Sequence, residues 1–311
     1  MPATAHSDSL AFDWLAAGAI ALASAIWGAT FVASKVALTV VPPFTLICGR
    51  FALAWAVLRL VMCWQGLKPL SGRTAWIPAV IGAVGMVISI GAQFVGTALT
   101  PASHGAFITS ASPALMAVFA VFLLGERMHW LHGLAMLLAL SGVALVSGVT
   151  GGTFHPVGHG ALVVAAITWA LYSVLTRWAS LRHDQLAVLA GACGWGAIFS
   201  APLLRWDWPV ARLLEPAVGG SVLFIALGST VLAFLLWSWG FARLPARIGG
   251  LFMFVQPVIG AVLAAWLLHE PMRWPLAAGG GLILVGVAVA QRADRALVVG
   301  GQETAEVAAL G

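Results

Sequence analysis

The chain has 311 residues, of which 61% are hydrophobic and only 8% charged, with a formal net charge of +5 and a mean hydropathy of +1.02. Soluble domains carry about 25% charged residues, so this chain has too little charge to cover a compact water-soluble surface. Its hydrophobicity equally excludes a disordered chain, and lipid is the expected solvent for most of it.

The first residues, MPATAHSDSLAFD, hold no Lys or Arg and include Asp8 and Asp13, unlike the basic start of a secretory signal peptide. The apolar run Leu15–Leu38 is too long for a signal segment and reads as a retained first span. Nine more runs follow: Pro43–Trp64, Trp76–Leu99, Ala102–Leu124, Leu131–Ser147, His159–Ala179, Gln185–Leu204, Ala217–Arg243, Ala246–His269 and Trp274–Gln291. Pro101 and Pro245 mark very short turns between neighbouring runs, because proline ends a helix and restricts the residue before it. Stretches such as ALMAVFAVFLLG are apolar on every face. A membrane β-barrel would alternate polar and apolar positions, so the expected fold is an all-α integral membrane protein with ten transmembrane helices.

Loop charge sets orientation. With the N-terminus inside, Arg59, Lys68, Arg73, Arg127, Arg177, Arg182, Arg243, Arg247, Arg292 and Arg295 face the cytoplasm. Only Arg205, Arg212 and Arg273 then lie outside, and Lys35 and Arg50 fall within spans. Both termini are therefore expected in the cytoplasm, as a tail over 1–14 and a flexible tail over 292–311. Trp14, Trp64, Trp76, Trp130, Trp206, Trp208 and Trp274 lie near predicted span ends, where amphipathic rings prefer the headgroup level. The positive charges form no basic-aromatic module, so a nucleic-acid partner is not expected. Cys48, Cys63 and Cys193 sit in apolar runs without metal-site or disulfide spacing, and no cofactor or metal is expected.

The sequence contains itself twice. Pro101–Trp130 aligns without a gap on Pro245–Trp274 at an offset of 144. Pro101 pairs with Pro245, Pro113 with Pro257, Glu126 with Glu270, and Trp130 with Trp274. Ile26–Lys35 aligns with Thr168–Arg177 at an offset of 142, which pairs Trp27 with Trp169 and Lys35 with Arg177. Two five-helix units result, 15–148 and 157–291. Five is odd, so the second unit crosses the membrane in the opposite sense. Such inverted repeats commonly build alternating-access transporters, with the substrate site near the midplane between the halves.

The pattern WG-x-x-F-x-x-x-K at Trp27–Lys35, the pair Arg50-Phe51, and the Pro113…Gly125-Glu126-Arg127 block resemble the EamA-like family of the drug/metabolite transporter superfamily. The second half carries the matching Pro257…His269-Glu270-Pro271 block. The likeness runs from about Leu15 to Gln291. It implies ten helices in two inverted repeats in a bacterial inner membrane. It also implies movement of small metabolites, often export of amino acids or related compounds, by a gradient or as a facilitator. The sequence departs from the pattern at Ala170, which stands where a glycine would match Gly28, and at His269, which replaces the usual small glycine.

Intramembrane polar residues are the candidates for the site. Lys35 has two readings, snorkelling of its ammonium or an anion-attracting gate. Arg50 is deeper, with no carboxylate in the nearby spans. Its partner is then a carbonyl, water or a substrate carboxylate. Pro113 and Pro257 break their helices and free backbone carbonyls. They bring Ser110 and Gln256 to a central site, with Gln93 and Trp237 at equivalent positions in spans three and eight. Trp27, Trp169, Tyr172 and Trp237 line an aromatic pocket on one reading and simply pack helices on the other. His104, Glu126, His269 and Glu270 are candidate proton-coupling groups, although Glu126 and Glu270 equally suit helix capping or pairing with Arg127 and Arg273.

No HExxH, paired-carboxylate or nucleophile motif appears, so an enzyme is not expected. The favoured function is a secondary transporter, with a membrane scaffold or sensor as the alternative. Expected partners are a small-molecule substrate, the lipid bilayer and protons as a coupling ion, in a monomer or homodimer.

Overall fold

An apolar segment in hydrocarbon has no water to satisfy its backbone, so each N–H and C=O must bond within the segment, and helix is the result. The structure, a computed structural model, describes residues 14–125, 130–146, 154–241, 255–271, 274–286, 288–289 and 292. Among them every regular element is helical.

The first half contains α1 (Trp14–Ala37), α2 (Pro43–Trp64), α3 (Trp76–Ile81), α4 (Ile90–Leu99), α5 (Ala102–Thr109), α6 (Ser112–Leu124) and α7 (Trp130–Val146). The second contains α8 (Pro156–Ser180), α9 (Gln185–Ser200), α10 (Pro216–Leu223), α11 (Ala233–Phe241), α12 (Val255–Leu267) and α13 (Trp274–Gly286). Six described segments are long and apolar enough to cross a bilayer: Trp14–Ala37, Pro43–Trp64, Gly72–Leu99, Pro156–Ser180, Gln185–Leu203 and Pro216–Trp237. α12 and α13 are shorter apolar helices.

The span over Ala102–Leu124 is broken between α5 and α6, just before Pro113. Pro113 has no N–H, so the Thr109 carbonyl loses its normal helical donor. The Ser112 hydroxyl donates to that carbonyl at 2.7 Å. Ser110 N–H and Ala111 N–H turn to the nearer carbonyls of Phe107 and Ile108, at 3.1 and 3.2 Å, which tightens the backbone into a turn.

Two π-helical stretches interrupt otherwise straight spans. Gly82–Ser89 joins α3 to α4, and Phe224–Leu232 joins α10 to α11. They begin 142 positions apart, the offset of the internal repeat near the start of each half. A π turn inserts a residue and rotates the register beyond it, and it often marks a functional site.

Helix packing has matching pairs across the halves. α1 lies against α12 as α8 lies against α6. α11 packs on α1 as α4 packs on α8, and each π stretch packs on the second helix of the other half, α9 or α2. The largest buried cluster lies among α2, α9 and the π stretches, with Phe51, Met86, Cys193 and Ile225 fully buried. Gly28 lets α1 meet α12, since a Cβ there would lie 2.5 Å from the Gln256 carbonyl oxygen. Such close crossings substitute for a hydrophobic driving force between helices in lipid. Ala170, at the matching place in α8, is fully buried.

The two ends of the bundle differ. At one end the Trp76 and Trp178 rings approach to 6.1 Å and Arg182 lies over Trp178 at 5.2 Å. This is the end of the 65–75 loop, with Lys68 and Arg73, and of Arg177. At the other end lie Lys35 and the loop 201–215, which Thr45 ties to the start of α2. Within that loop, hydrogen bonds from Arg205 hold the Asp207 carboxyl below its usual range, and those from Arg212 do the same for Glu215. Trp14, Trp64, Trp76, Trp130, Trp206 and Trp274 are each more than half exposed. Trp208 instead packs against the largest cluster.

Candidate functional site

A narrow cavity of about 60 Å³ opens between the halves, enough for a few waters. Of the residues expected at a site, Trp27, Arg50, Gln93, Ser110, Trp169 and Gln256 line it. The wall is completed by Thr30, Phe31, Ile90, Thr109, Ala165, Ser229 and Phe234.

Arg50 is 4% exposed, and burying its charge is costly unless the guanidinium is bonded. Its Nε donates to Thr230 Oγ1 at 2.8 Å. Thr230 belongs to the second π stretch, and its own hydroxyl donates to the Ile225 carbonyl at 2.8 Å. The guanidinium also lies over the rings of Phe51 and Phe94, 4.9 and 5.5 Å from their centroids, a favourable placement for a cation. One terminal nitrogen, Nη1, is buried with no hydrogen-bond partner among the described residues. A guanidinium fork with a free N–H matches a carboxylate.

Aromatic rings form much of the remaining wall. The repeat-related Trp27 and Trp169 meet edge-on at 6.3 Å. Phe234 approaches Trp27 at 5.3 Å. The Trp27 Nε1–H donates to the Ser229 carbonyl at 3.0 Å, which joins α1 to the second π stretch. The cavity thus offers a cation, hydroxyl and amide groups, and flat apolar faces.

Other expected residues lie elsewhere. Tyr172 is buried against Trp169 at 4.9 Å, and its ring fills the space beside Gly85 of the first π stretch. Trp237 touches Trp27 at 5.0 Å from behind. Pro257 is buried in the first turn of α12 without lining the cavity. The backbone at Pro113 makes the break described above. Glu126 lies outside the described residues.

Lys35 and Glu270 belong to a second, open groove of about 670 Å³ at one end of the bundle, lined also by Leu99, Thr100, Pro101, Phe154, His155 and Leu268. Lys35 Nζ donates to the carbonyls of Thr97, Ala98 and Thr100 at 2.9, 3.0 and 2.7 Å. These are carbonyls at the end of α4, where a cation is favoured. Its ammonium is thus bonded to protein carbonyls. Glu270 accepts from Ala102 N–H at 2.6 Å, Ser103 N–H at 3.1 Å and Ser103 Oγ–H at 2.6 Å. It caps α5, a helix of the other half, and not the helix that follows it in sequence. His104 lies beside His159, also at this end.

His269 is exposed, with φ of 55°. Its repeat partner Gly125 has φ of 68°. Both end a helix in the left-handed conformation, which glycine adopts without steric cost. This is the physical reason a glycine suits the position. His269→Gly is expected to raise the detergent-solubilised melting temperature, through a gain of about 1 kcal/mol; thermal-shift measurement checks it, and an unchanged or lower value counts against strain at His269.

Several wall residues had a sequence signal. Phe31 is the phenylalanine of the WG-x-x-F pattern, and Ser229-Thr230 is a polar pair inside an apolar run. His155 and His159 stand at the start of a span, where a polar residue is unremarkable, so only their contacts distinguish them.

A family model, the EamA-like transporter family, matches residues 14–148 and 156–291. The chain is 28% identical over 282 residues to "Uncharacterized transporter YetK" of Bacillus subtilis (strain 168), covering 87% of this chain and 84% of that protein. It is 28% identical over 261 residues to "Aromatic amino acid exporter YddG" of Ancylobacter novellus, covering 80% and 88%. A solved crystal structure superposes with a TM-score of 0.64 at 26% identity, over 90% of this chain and 98% of that one. With both halves matched and lipid-length apolar helices in place, this chain belongs to the EamA-like transporter family and is a multi-pass membrane protein.

Proposed function

We propose that the protein is a secondary transporter exporting amino acids or related carboxylate-bearing compounds by alternating access. Its halves are two inverted five-helix repeats in a bacterial inner membrane, with both termini cytoplasmic, and protons are the coupling ion. The carrying observation is the Arg50 guanidinium at the cavity between the halves, whose buried Nη1 has no hydrogen-bond partner among the described residues and whose Nε is anchored to Thr230 of the second half. A substrate carboxylate completes that guanidinium, and Trp27, Trp169 and Phe234 receive an apolar or aromatic side chain. The relative named as an aromatic amino acid exporter supports this substrate class. The paired helix contacts and the repeated π stretches support the exchange of two shapes between two similar halves. The cavity lies within one chain, so transport needs no second copy, whether monomer or homodimer.

The test is flux of labelled tryptophan, phenylalanine and smaller amino acids from reconstituted vesicles, with and without an imposed pH gradient. Saturable flux that the gradient accelerates is expected. Absence of flux with every amino acid overturns the substrate reading. Side-specific labelling of single cysteines at Lys68 and Arg243 is expected to place both on one face; opposite faces overturn the inverted repeat.

A further inference from the structure

His104 occupies the first turn of α5 and His159 the first turn of α8. His104 Nδ1 and His159 Nε2 lie 3.0 Å apart, and the two rings are tilted at 48°. His159 is only 2% exposed. Its Nδ1 is 3.0 Å from the His155 carbonyl and 3.1 Å from the His155 N–H. Phe154 stacks on its other side at 5.3 Å. The contact fastens a helix of the first half to a helix of the second, at the end of the bundle where Glu270 caps α5.

Proton count decides what this contact can be. In the neutral pair one ring N–H donates and the other ring nitrogen accepts. One added proton is accommodated between the rings: a charged His159 donates Nδ1–H to the His155 carbonyl, giving up the bond it can accept from the His155 N–H, and donates Nε2–H to His104 Nδ1, a charge-assisted bond. A second proton puts hydrogens on both facing nitrogens and two like charges side by side. No hydrogen bond then exists between the rings.

We propose that His104 and His159 form a proton-binding pair that latches α5 to α8, holding with no proton or one added and releasing with the second. This inference goes beyond the substrate reading and does not depend on it. The titratable groups beside the pair are His155 at the N-cap of α8, which contacts His159, and Glu270 beyond the end of α12, which caps α5 next to His104; Lys35 from α1 lines the same end groove with its ammonium on carbonyls. Among the other elements packed on α5 and α8, neither α3, α4, α6 nor the first π stretch carries a titratable side chain. α9 carries only Cys193, and His132 of α7 stands in the first turn of that helix, which follows α6.

The test uses the full chain in nanodiscs, without substrate, labelled with ¹⁵N-histidine. NMR titration is expected to show the two rings changing together in two steps, separated by more than about one pH unit. In His159→Gln the remaining His104 titrates in one step, and in His104→Gln so does His159. Hydrogen–deuterium exchange, corrected for the intrinsic effect of pH, is expected to rise about 10-fold (one decade per about 1.4 kcal/mol) in 102–109 and 156–162 across the second step. The double glutamine variant, or His104→Asn where that variant fails to fold, keeps exchange flat. Independent one-step titrations in the unaltered protein, a flat exchange profile there, or an exchange rise that survives the substitution would each overturn the latch.

Discussion

Arg50→Ala lowers transport about 30- to 4,000-fold, on the about 2–5 kcal/mol lost when one partner of a buried, hydrogen-bonded charge contact is truncated. Membrane insertion and the yield of monodisperse protein stay close to normal, because the removed group is a buried charge whose Nη1 has no hydrogen-bond partner among the described residues. Arg50→Lys does not restore flux, since a lysine lacks the planar fork that bonds Thr230 and a carboxylate together. Thr230→Val leaves the guanidinium in place and removes its anchor, at about 1 kcal/mol or roughly fivefold in flux. Vesicle flux beside size-exclusion profiles separates the two effects. Normal flux in Arg50→Ala would remove Arg50 from the substrate site.

On the proposed alternating-access reading, Glu270→Ala acts at the other site, on the equilibrium between arrangements. It strips an anionic cap from α5 and leaves the amides of Ala102 and Ser103 without their acceptor. Loss of such a cap costs about 1–2 kcal/mol, which shifts the population toward an opened groove about 5- to 30-fold. The readout is the rate at which an impermeant maleimide modifies a Thr109→Cys variant in a background without Cys48, Cys63 and Cys193. Thr109 lines the central cavity. The rate is expected to rise with Glu270→Ala and to rise less with Glu270→Gln, which keeps one acceptor oxygen. Lys35→Met, which frees three carbonyls at the end of α4, is expected to act in the same direction. An unchanged rate in both Glu270→Ala and Lys35→Met means that these contacts do not close that end.

The two sites differ in how far they were legible. Arg50 announces itself, because a guanidinium inside an apolar run needs a reason. Trp27 and Trp169 were paired by the repeat alone, and they meet at the cavity. Lys35 and Glu270 were recognisable as anomalous, but their partners were not. Sequence proximity suggested the next helix or Arg273 for Glu270; Arg273 lies outside the described residues, and the carboxylate meets amides 168 and 167 positions away. Tyr172 had two readings in the sequence, pocket wall or helix packing. A lone tyrosine one turn from Trp169 looks like a pocket residue, yet Gly85 removes the Cβ that would otherwise exclude its ring, so the ring packs there.

Composition and apolar run length by themselves determined that the chain lives in lipid as helices, since hydrocarbon leaves the backbone no other way to satisfy its polar groups. Proline placement located the disturbed turn near Ser110, and the repeated motifs showed which residues of the two halves correspond. Those properties follow from neighbours along the chain. Which end of Glu270's reach holds a helix, which imidazole finds His104, and which rings face Arg50 were decided only by the tertiary structure. A charge or ring in a membrane bundle bonds to whatever the crossing helices bring within about 3 Å, and close crossings such as Gly28 against α12 set that neighbourhood.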